Sequence, residues 1–377
     1  MNLLSKEIRP THFQNLDAVR SIACLFVFAA HTFDYLNFRD LNLPGEHFAY
    51  LHFITNAGPT GVSLFFVLSG FLITFLLISE KQTRGSINLK RFYVKRILRI
   101  WPMFFFVIAL SFFVIPILTH SFDTSAVKQH LPWYVLFGNN IDRVHTGFKG
   151  FGNDAPGILW SVAVEEQFYL LWPLLLLLLP IRFYPWLFAV VIAGSAVFRH
   201  FFISNSEVLL YHSFSVMGDL AVGGAAAFIT FRRKISDEKK EFKSSLVFVS
   251  LLLFALAFTF HNFLLDGSRS EAFGRLILST AFGFFILCQA NSTGDLIGLS
   301  RFRQLSRFGA VTYGFYCLHL FVIMLIQKFN HHFTTLPHNA LLFYSEFIAA
   351  FFITYLISSL SFKYFEGMFL RLKTRLN

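Results

Sequence analysis

Apolar residues run along this chain in blocks of about twenty, separated by short breaks that carry basic residues, glycine, asparagine or proline. A helix rises about 1.5 Å per residue, so a block of that length crosses the roughly 30 Å hydrocarbon core of a bilayer. Ten blocks qualify, at residues 18–36, 60–79, 98–118, 159–180, 183–203, 210–230, 244–262, 272–290, 310–328 and 339–361. They predict an all-α polytopic integral membrane protein of about ten transmembrane helices, built as a single membrane-embedded domain over residues 1–377. The pattern is least sharp near 131–138 and at the join between the fourth and fifth blocks. The longest interval between blocks, 119–158, is rich in Gly, Asn, Asp and His and reads as a cap or binding loop on the outer face.

Charge adds an orientation to this picture. Charged residues make up 14% of the chain, against about 25% in a soluble domain, while 55% of residues are hydrophobic. The 53 phenylalanines read as lipid-facing and interhelical filler. A net charge of +11 raises the question of nucleic acid, but the basic residues sit between the apolar blocks, where membrane orientation explains them. Lys6 and Arg9, the run from Lys81 to Arg99, Arg182, the run from Arg232 to Lys243, Arg301 to Arg307 and Lys363 to Arg375 share one side. Only Arg39, Lys128, Arg143, Lys149 and Arg269 fall on the other. By the positive-inside rule both termini are cytoplasmic, and the ten-block count keeps this asymmetry intact. The N-terminus is polar through Gln14 with no short apolar core and cleavage site, so the first block is expected to be a signal anchor. Cys24, Cys288 and Cys317 lie inside apolar blocks and read as small buried hydrophobes. The histidines of 119–158, with His331, His332 and His338, lack ligand spacing beside supporting carboxylates, so no metal is expected.

Against this apolar background the ionisable residues inside blocks carry the chemical signal, because each is costly in lipid. Arg20 and His31 stand eleven residues apart in the first block, about 16 Å along one helix. The fourth block holds Glu165, Glu166 and Gln167; adjacent carboxylates point about 100° apart, so one faces His31 and the other a different helix. A neutral imidazole with a carboxylate beside it makes a base and its orienter, a pair that serves proton-coupled transport equally well. Arg96 and Arg99 share one helical face at the cytoplasmic boundary, near the level of Arg20, and guanidinium forks suit phosphates. They favour an anionic cytosolic cofactor. Ser69 beside Gly70, Asp219, and the stripe Tyr313, Tyr316 and His319 are further polar groups inside blocks, each a hydrogen-bonding group or a site member. A secondary transporter or flippase would use His31 and Glu166 as a relay, but the two corresponding halves of such a protein are not visible in the sequence.

Five motifs together resemble the membrane-bound acyltransferase-3 family, typified by O-acetyltransferases that modify bacterial surface polysaccharides. They are Arg20 through His31; Gly58 to Ile73, GPTGVSLFFVLSGFLI; Phe92 to Pro102, FYVKRILRIWP; Leu159 to Pro173, LWSVAVEEQFYLLWP; and Tyr313 to His319, YGFYCLH, followed by Phe365 and Glu366. The resemblance spans nearly the whole chain. Ala18, Cys317 and Gly367 depart from it at peripheral positions. It implies a multi-pass protein of the bacterial inner membrane that takes an acyl group, most often from acetyl-CoA, to a hydroxyl of an extracytoplasmic glycan or glycolipid. It further implies His31 as the catalytic histidine, Arg20, Arg96 and Arg99 as donor contacts and Glu166 as support. On the residue reading, Glu165, Ser69, Tyr313, His319 and Asp219 are expected as substrate or supporting groups. Membrane lipids and the glycan acceptor are the expected partners. The chain stops just after the last block, so the esterase-like domain fused to some family members is not expected.

Overall fold

The computed structural model describes residues 13–36, 51, 53–148, 150, 155–235, 242–265, 271–292, 298–333 and 340–374. Among these the chain is helical, without strands. The main helices are α1 (Gln14–Tyr35), α2 (Gly58–Arg84), α3 (Leu89–Ala109), α4 (Thr124–Val135), α5 (Asn139–Thr146), α6 (Trp160–Leu178) and α7 (Tyr184–Phe201). They are followed by α8 (Ser213–Ile235), α9 (Ser244–Thr259), α10 (Glu271–Ala290), α11 (Thr312–Phe333), α12 (Ala340–Leu360) and α13 (Gly367–Thr374). Nine helical segments among the described residues are long and apolar enough to cross a membrane, which makes this a multi-pass membrane protein. The seventh expected span is present as α9, at 16 residues about 24 Å long, with a short turn His261–Leu264 beyond it. His338, and the basic residues Lys6, Arg9, Arg39, Lys149, Lys239, Lys240, Arg269 and Arg375 used above for orientation and metal binding, lie outside the described residues.

By packing, the chain falls into two compact units. The first comprises Met1–Ile22, Val62–Lys90 and Val164–Gly309, the second Ala23–Gly61, Arg91–Ala163 and Ala310–Asn377. In the first unit α2 and α8 meet backbone to backbone. A Cβ on Gly70 would lie 1.9 Å from the Leu220 carbonyl oxygen, and a Cβ on Gly223 would lie 1.9 Å from that of Val67. Beside this crossing Arg275 of α10 bonds Asp219 of α8, Nη2 to Oδ2 at 2.8 Å and Nε to Oδ2 at 3.1 Å, and Ser63 donates to the same oxygen at 2.8 Å. Asp219 and Arg275 are buried, so three helices share one neutralised charge pair instead of two bare charges. Lys81 donates to the carbonyls of Leu176, Leu177 and Leu179 at 2.6, 3.0 and 2.7 Å, meeting the acceptors that the end of α6 leaves open.

In the second unit the C-terminal part of α1 packs on α11 and α12 through Phe28, whose ring lies 5.2 Å from Phe315 and 5.4 Å from Phe347. In the described part of the interval 119–158, aromatic residues from Phe122 to Phe137 come back along α3. The chain leaves α3 through a π-helical stretch, Leu110–Val114, and a helical turn, Ile115–Leu118. Asp123 caps α4 by accepting from the amides of Ser125 and Ala126 at 2.8 and 3.2 Å, and α4 then returns antiparallel. Phe122 faces Phe113, Tyr134 faces Phe112 at 4.9 Å, and Phe137 at the turn reaches Phe104 at 4.5 Å and Trp101 at 5.4 Å. The turn holds Phe137 at φ 55°, the left-handed region, which costs a bulky residue about 1–2 kcal/mol. After it α5 runs away from that depth again. Within the hairpin polar groups meet one another. His130 Nδ1 lies 2.8 Å from Asp142 Oδ2, and the His130 ring stacks on Phe148 at 3.7 Å.

Candidate active site

α1 is one uninterrupted helix, so Arg20 and His31 stand on a common axis. His31, half-buried, meets His319 of α11, with Nδ1 to Nε2 at 2.9 Å. The other nitrogen of His319, Nδ1, lies 2.6 Å from the carbonyl oxygen of Tyr316. A carbonyl only accepts, so His319 Nδ1 carries a proton. In the neutral pair His319 Nε2 is then an acceptor, and His31 must donate from Nδ1. The lone pair of His31 is thereby fixed at Nε2. The two rings are nearly parallel, at 13°, with centroids 5.1 Å apart. That separation is the hydrogen bond plus two ring radii, so the imidazoles meet edge to edge in a shared plane, with the proton on the line between them.

Buried partners hold His319 in place. The Tyr316 hydroxyl donates to the Ile158 carbonyl at 3.1 Å and lies 2.7 Å from the Ser161 hydroxyl, which joins α11 to the start of α6. Arg143 of α5 donates to the Gly157 carbonyl at 3.1 Å, and its positive charge acts on His31. One turn before Tyr316 on α11, Tyr313 donates to the Ile100 carbonyl at 2.8 Å, next to Arg99 on α3. Glu366 is buried at the end of a π-helical stretch, Ser361–Glu366, and Arg99 acts on it electrostatically. A Cβ on Gly314 would come within 2.7 Å of the Glu366 carboxylate, so the glycine lets this acid lie close against α11. Arg96 and Arg99 are half-buried, and the Arg96 guanidinium also lies over the Phe92 ring at 5.6 Å.

The other residues singled out by sequence belong to the first unit. Arg20 pairs with Asp17 at 3.0 Å, Ser69 hydrogen-bonds the Tyr169 hydroxyl, and Asp219 pairs with Arg275. Glu165 and Glu166 are half-buried on α6. His31 and His319 thus meet directly, and the partner at His31 Nδ1 is an imidazole where the sequence reading placed a carboxylate. Sequence reasoning did not place Arg143, Glu366, Ser161 or Arg275 in a site. Arg275 falls inside the block 272–290, where the rule that selected Arg20 applies equally. Glu366 stands in the family's closing motif but carries no role in the sequence reading, because its span ends there at 361, and Arg143 carries none because its place in 119–158 marks it only as an outer-loop charge. Among the described residues no group of three His, Cys, Asp or Glu is placed to hold a metal ion.

The arrangement is that of a polytopic membrane protein with two hydrogen-bonded histidines set between helices. Residues 13–362 match the model of the acyltransferase-3 domain family, described as an acyltransferase domain, and the chain belongs to that family. It is 27% identical over 346 residues to the O-acetyltransferase OatA of Staphylococcus aureus, covering 86% of this chain and 53% of that protein. It is 33% identical over 171 residues to the peptidoglycan O-acetyltransferase OatA of Listeria monocytogenes, covering 43% of this chain and 24% of that one. An uncharacterized protein of Haemophilus influenzae is 31% identical over 216 residues, 53% of this chain and 88% of its own length. The chain spans about half the length of the S. aureus relative that it matches. No solved structure matches it.

Proposed function

We propose that the protein is an O-acetyltransferase of a bacterial cytoplasmic membrane, moving an acetyl group from cytosolic acetyl-CoA to a hydroxyl of an extracytoplasmic glycan or glycolipid. The observation that carries this reading is the His31 to His319 hydrogen bond, which leaves the His31 Nε2 lone pair free for proton transfer. Arg96 and Arg99 hold the donor's phosphates with forked N–H groups. Arg20 and Glu166 enter on the family resemblance alone. His31 Nε2 takes the proton of the acceptor hydroxyl as its oxygen attacks the thioester carbonyl. The carbon–sulfur bond then breaks, the thiolate of CoA leaves, and the proton held by His31 passes to that sulfur. His319, its proton anchored on the Tyr316 carbonyl, accepts the hydrogen bond from the imidazolium that forms in between.

The names of the relatives make peptidoglycan the first acceptor to test. Purified protein in lipid discs is given isotope-labelled acetyl-CoA with and without peptidoglycan fragments. We expect alkali-labile acetyl on the glycan, lost in His31→Ala, and no label on the protein when acceptor is omitted. Label held on His31 would replace direct transfer by an acyl-enzyme route. Failure of the wild-type protein to acetylate any glycan hydroxyl would reject the proposal and return proton-coupled transport to the front.

A further inference from the structure

Asn139, the first residue of α5, is 1% exposed, and among the described residues neither its amide nitrogen nor its amide oxygen has a hydrogen-bond partner. Buried polar groups are almost always paired, so an amide with both ends open calls for an explanation. Asp142, three residues on, does not share the condition. It bonds His130 at 2.8 Å and receives the Thr146 hydroxyl on its carbonyl, also at 2.8 Å.

Depth decides what Asn139 meets. It follows by two residues Phe137, whose ring stacks on Phe104 and faces Trp101. Those two residues come only two and five positions after Arg99 on α3, a rise of about 3 and 8 Å. From Asn139 to Arg143 α5 climbs about 6 Å. Arg143 is the residue whose charge reaches His31. Within the second unit α5 therefore occupies the interval between the guanidinium of Arg99 and the imidazole of His31. An acceptor arriving from the far side of His31 does not pass this depth, whereas the arm of a CoA thioester gripped at Arg96 and Arg99 does. That arm carries secondary amides, and each needs one donor and one acceptor once water is left behind. A carboxamide offers one of each.

We propose that Asn139 hydrogen-bonds an amide of the donor's pantetheine arm, and that α5 forms one wall of the path from the phosphate grip to His31. The proposal rests on the acetyl-CoA reading above. The strained turn at Phe137 and Gly138 then has a purpose, since it delivers the carboxamide to that path. Gly138 donates to the Trp133 carbonyl at 2.6 Å, and a Cβ there would lie 2.9 Å from the Trp133 ring, so the tip keeps one shape.

The test compares CoA with adenosine 3′,5′-bisphosphate, which keeps phosphates and base but lacks the arm, on the full chain in lipid discs. Titration calorimetry and thermal unfolding are read for wild type, Asn139→Leu and Asn139→Asp. We expect Asn139→Leu to weaken CoA binding about 5- to 100-fold, the loss of one to two buried hydrogen bonds, with the bisphosphate unchanged. Removing an unpaired amide also leaves the ligand-free melting temperature of Asn139→Leu equal or higher, which a structural asparagine would not allow. Asn139→Asp, nearly the same size but without the N–H donor, shows the same selective loss and covers the case in which leucine fails to fold. Unchanged CoA binding in a folded variant overturns the proposal, as does an equal loss for both ligands. If wild type binds neither ligand, the donor reading itself fails, and this proposal with it.

Discussion

Replacing His319 separates an orienting role from a merely structural one. His31 Nδ1 donates to His319 Nε2 at 2.9 Å, and His319 is 1% exposed, so no solvent takes over the hydrogen bond when the acceptor is removed. In His319→Leu the buried N–H loses its partner, a penalty of about 1–3 kcal/mol. The penalty falls on the one tautomer that keeps the lone pair at Nε2. The proton therefore moves to Nε2, and the population of the competent tautomer drops by about 5- to 150-fold. Under the proposed mechanism the effect acts on proton transfer and not on donor binding, so it belongs in kcat, with KM for acetyl-CoA little changed. His319→Gln presents a carboxamide oxygen that accepts from His31 Nδ1, and is expected to restore kcat to within about tenfold of wild type. The assay is initial-rate acetyl transfer over a range of acetyl-CoA concentrations, with the melting temperature of each variant recorded. A leucine variant with wild-type kcat, or a folded glutamine variant no better than leucine, would refute the tautomer reasoning.

In the first unit Arg275→Leu strands Asp219 and is expected to cost about 3–5 kcal/mol, while the double variant Asp219→Leu with Arg275→Leu recovers most of it. Thermal unfolding of the single and double variants measures the coupling, and additive losses would show that the pair contributes no joint stability. Phe137→Ala removes a half-buried ring that lies against Phe104 and Trp101, and is expected to cost less than the roughly 3–5 kcal/mol of a fully buried phenylalanine. Hydrogen exchange over residues 124–146 reports it, and exchange as slow as wild type would mean that Phe137 does not hold the hairpin.

The positions of the helices were legible because hydrophobic length alone sets them, and each of the ten expected blocks finds a helix. α9 came out short since its apolar run is followed by His261 and Asn262, where the helix breaks after Thr259. Which helices are neighbours is not encoded in a hydropathy pattern. His319 was visible as part of a polar stripe, yet nothing in the spacing sets α11 beside α1, so a glutamate of the fourth block took its place in the reading. The packing within residues 119–148 is hidden for a different reason. Their Gly, Asn, Asp and His content looks aqueous residue by residue, but His130 and Asp142 neutralise each other's polarity, and the aromatic faces of Tyr134, Phe137 and Phe148 are left to pack inward. Pairwise satisfaction of polar groups depends on contacts twelve residues apart, which composition does not record.

The meeting of Gly70 and Gly223 bears on how this protein tolerates change over generations. Where two backbones touch, every other amino acid is excluded by a Cβ that would stand 1.9 Å from a carbonyl oxygen, and no neighbour is a flexible side chain able to yield. The lipid-facing positions are the opposite case, since exposed Phe248, Leu252 and Leu256 on α9 are exchangeable for any apolar residue of similar length. A saturating library is therefore expected to be silent at two glycines remote in sequence from His31 and permissive along whole faces of α9. Inactive clones at those glycines should also lack protein in the membrane, whereas inactive clones at His31 should not. Comparing abundance with activity across such a library sorts positions that build the scaffold from positions that perform the transfer.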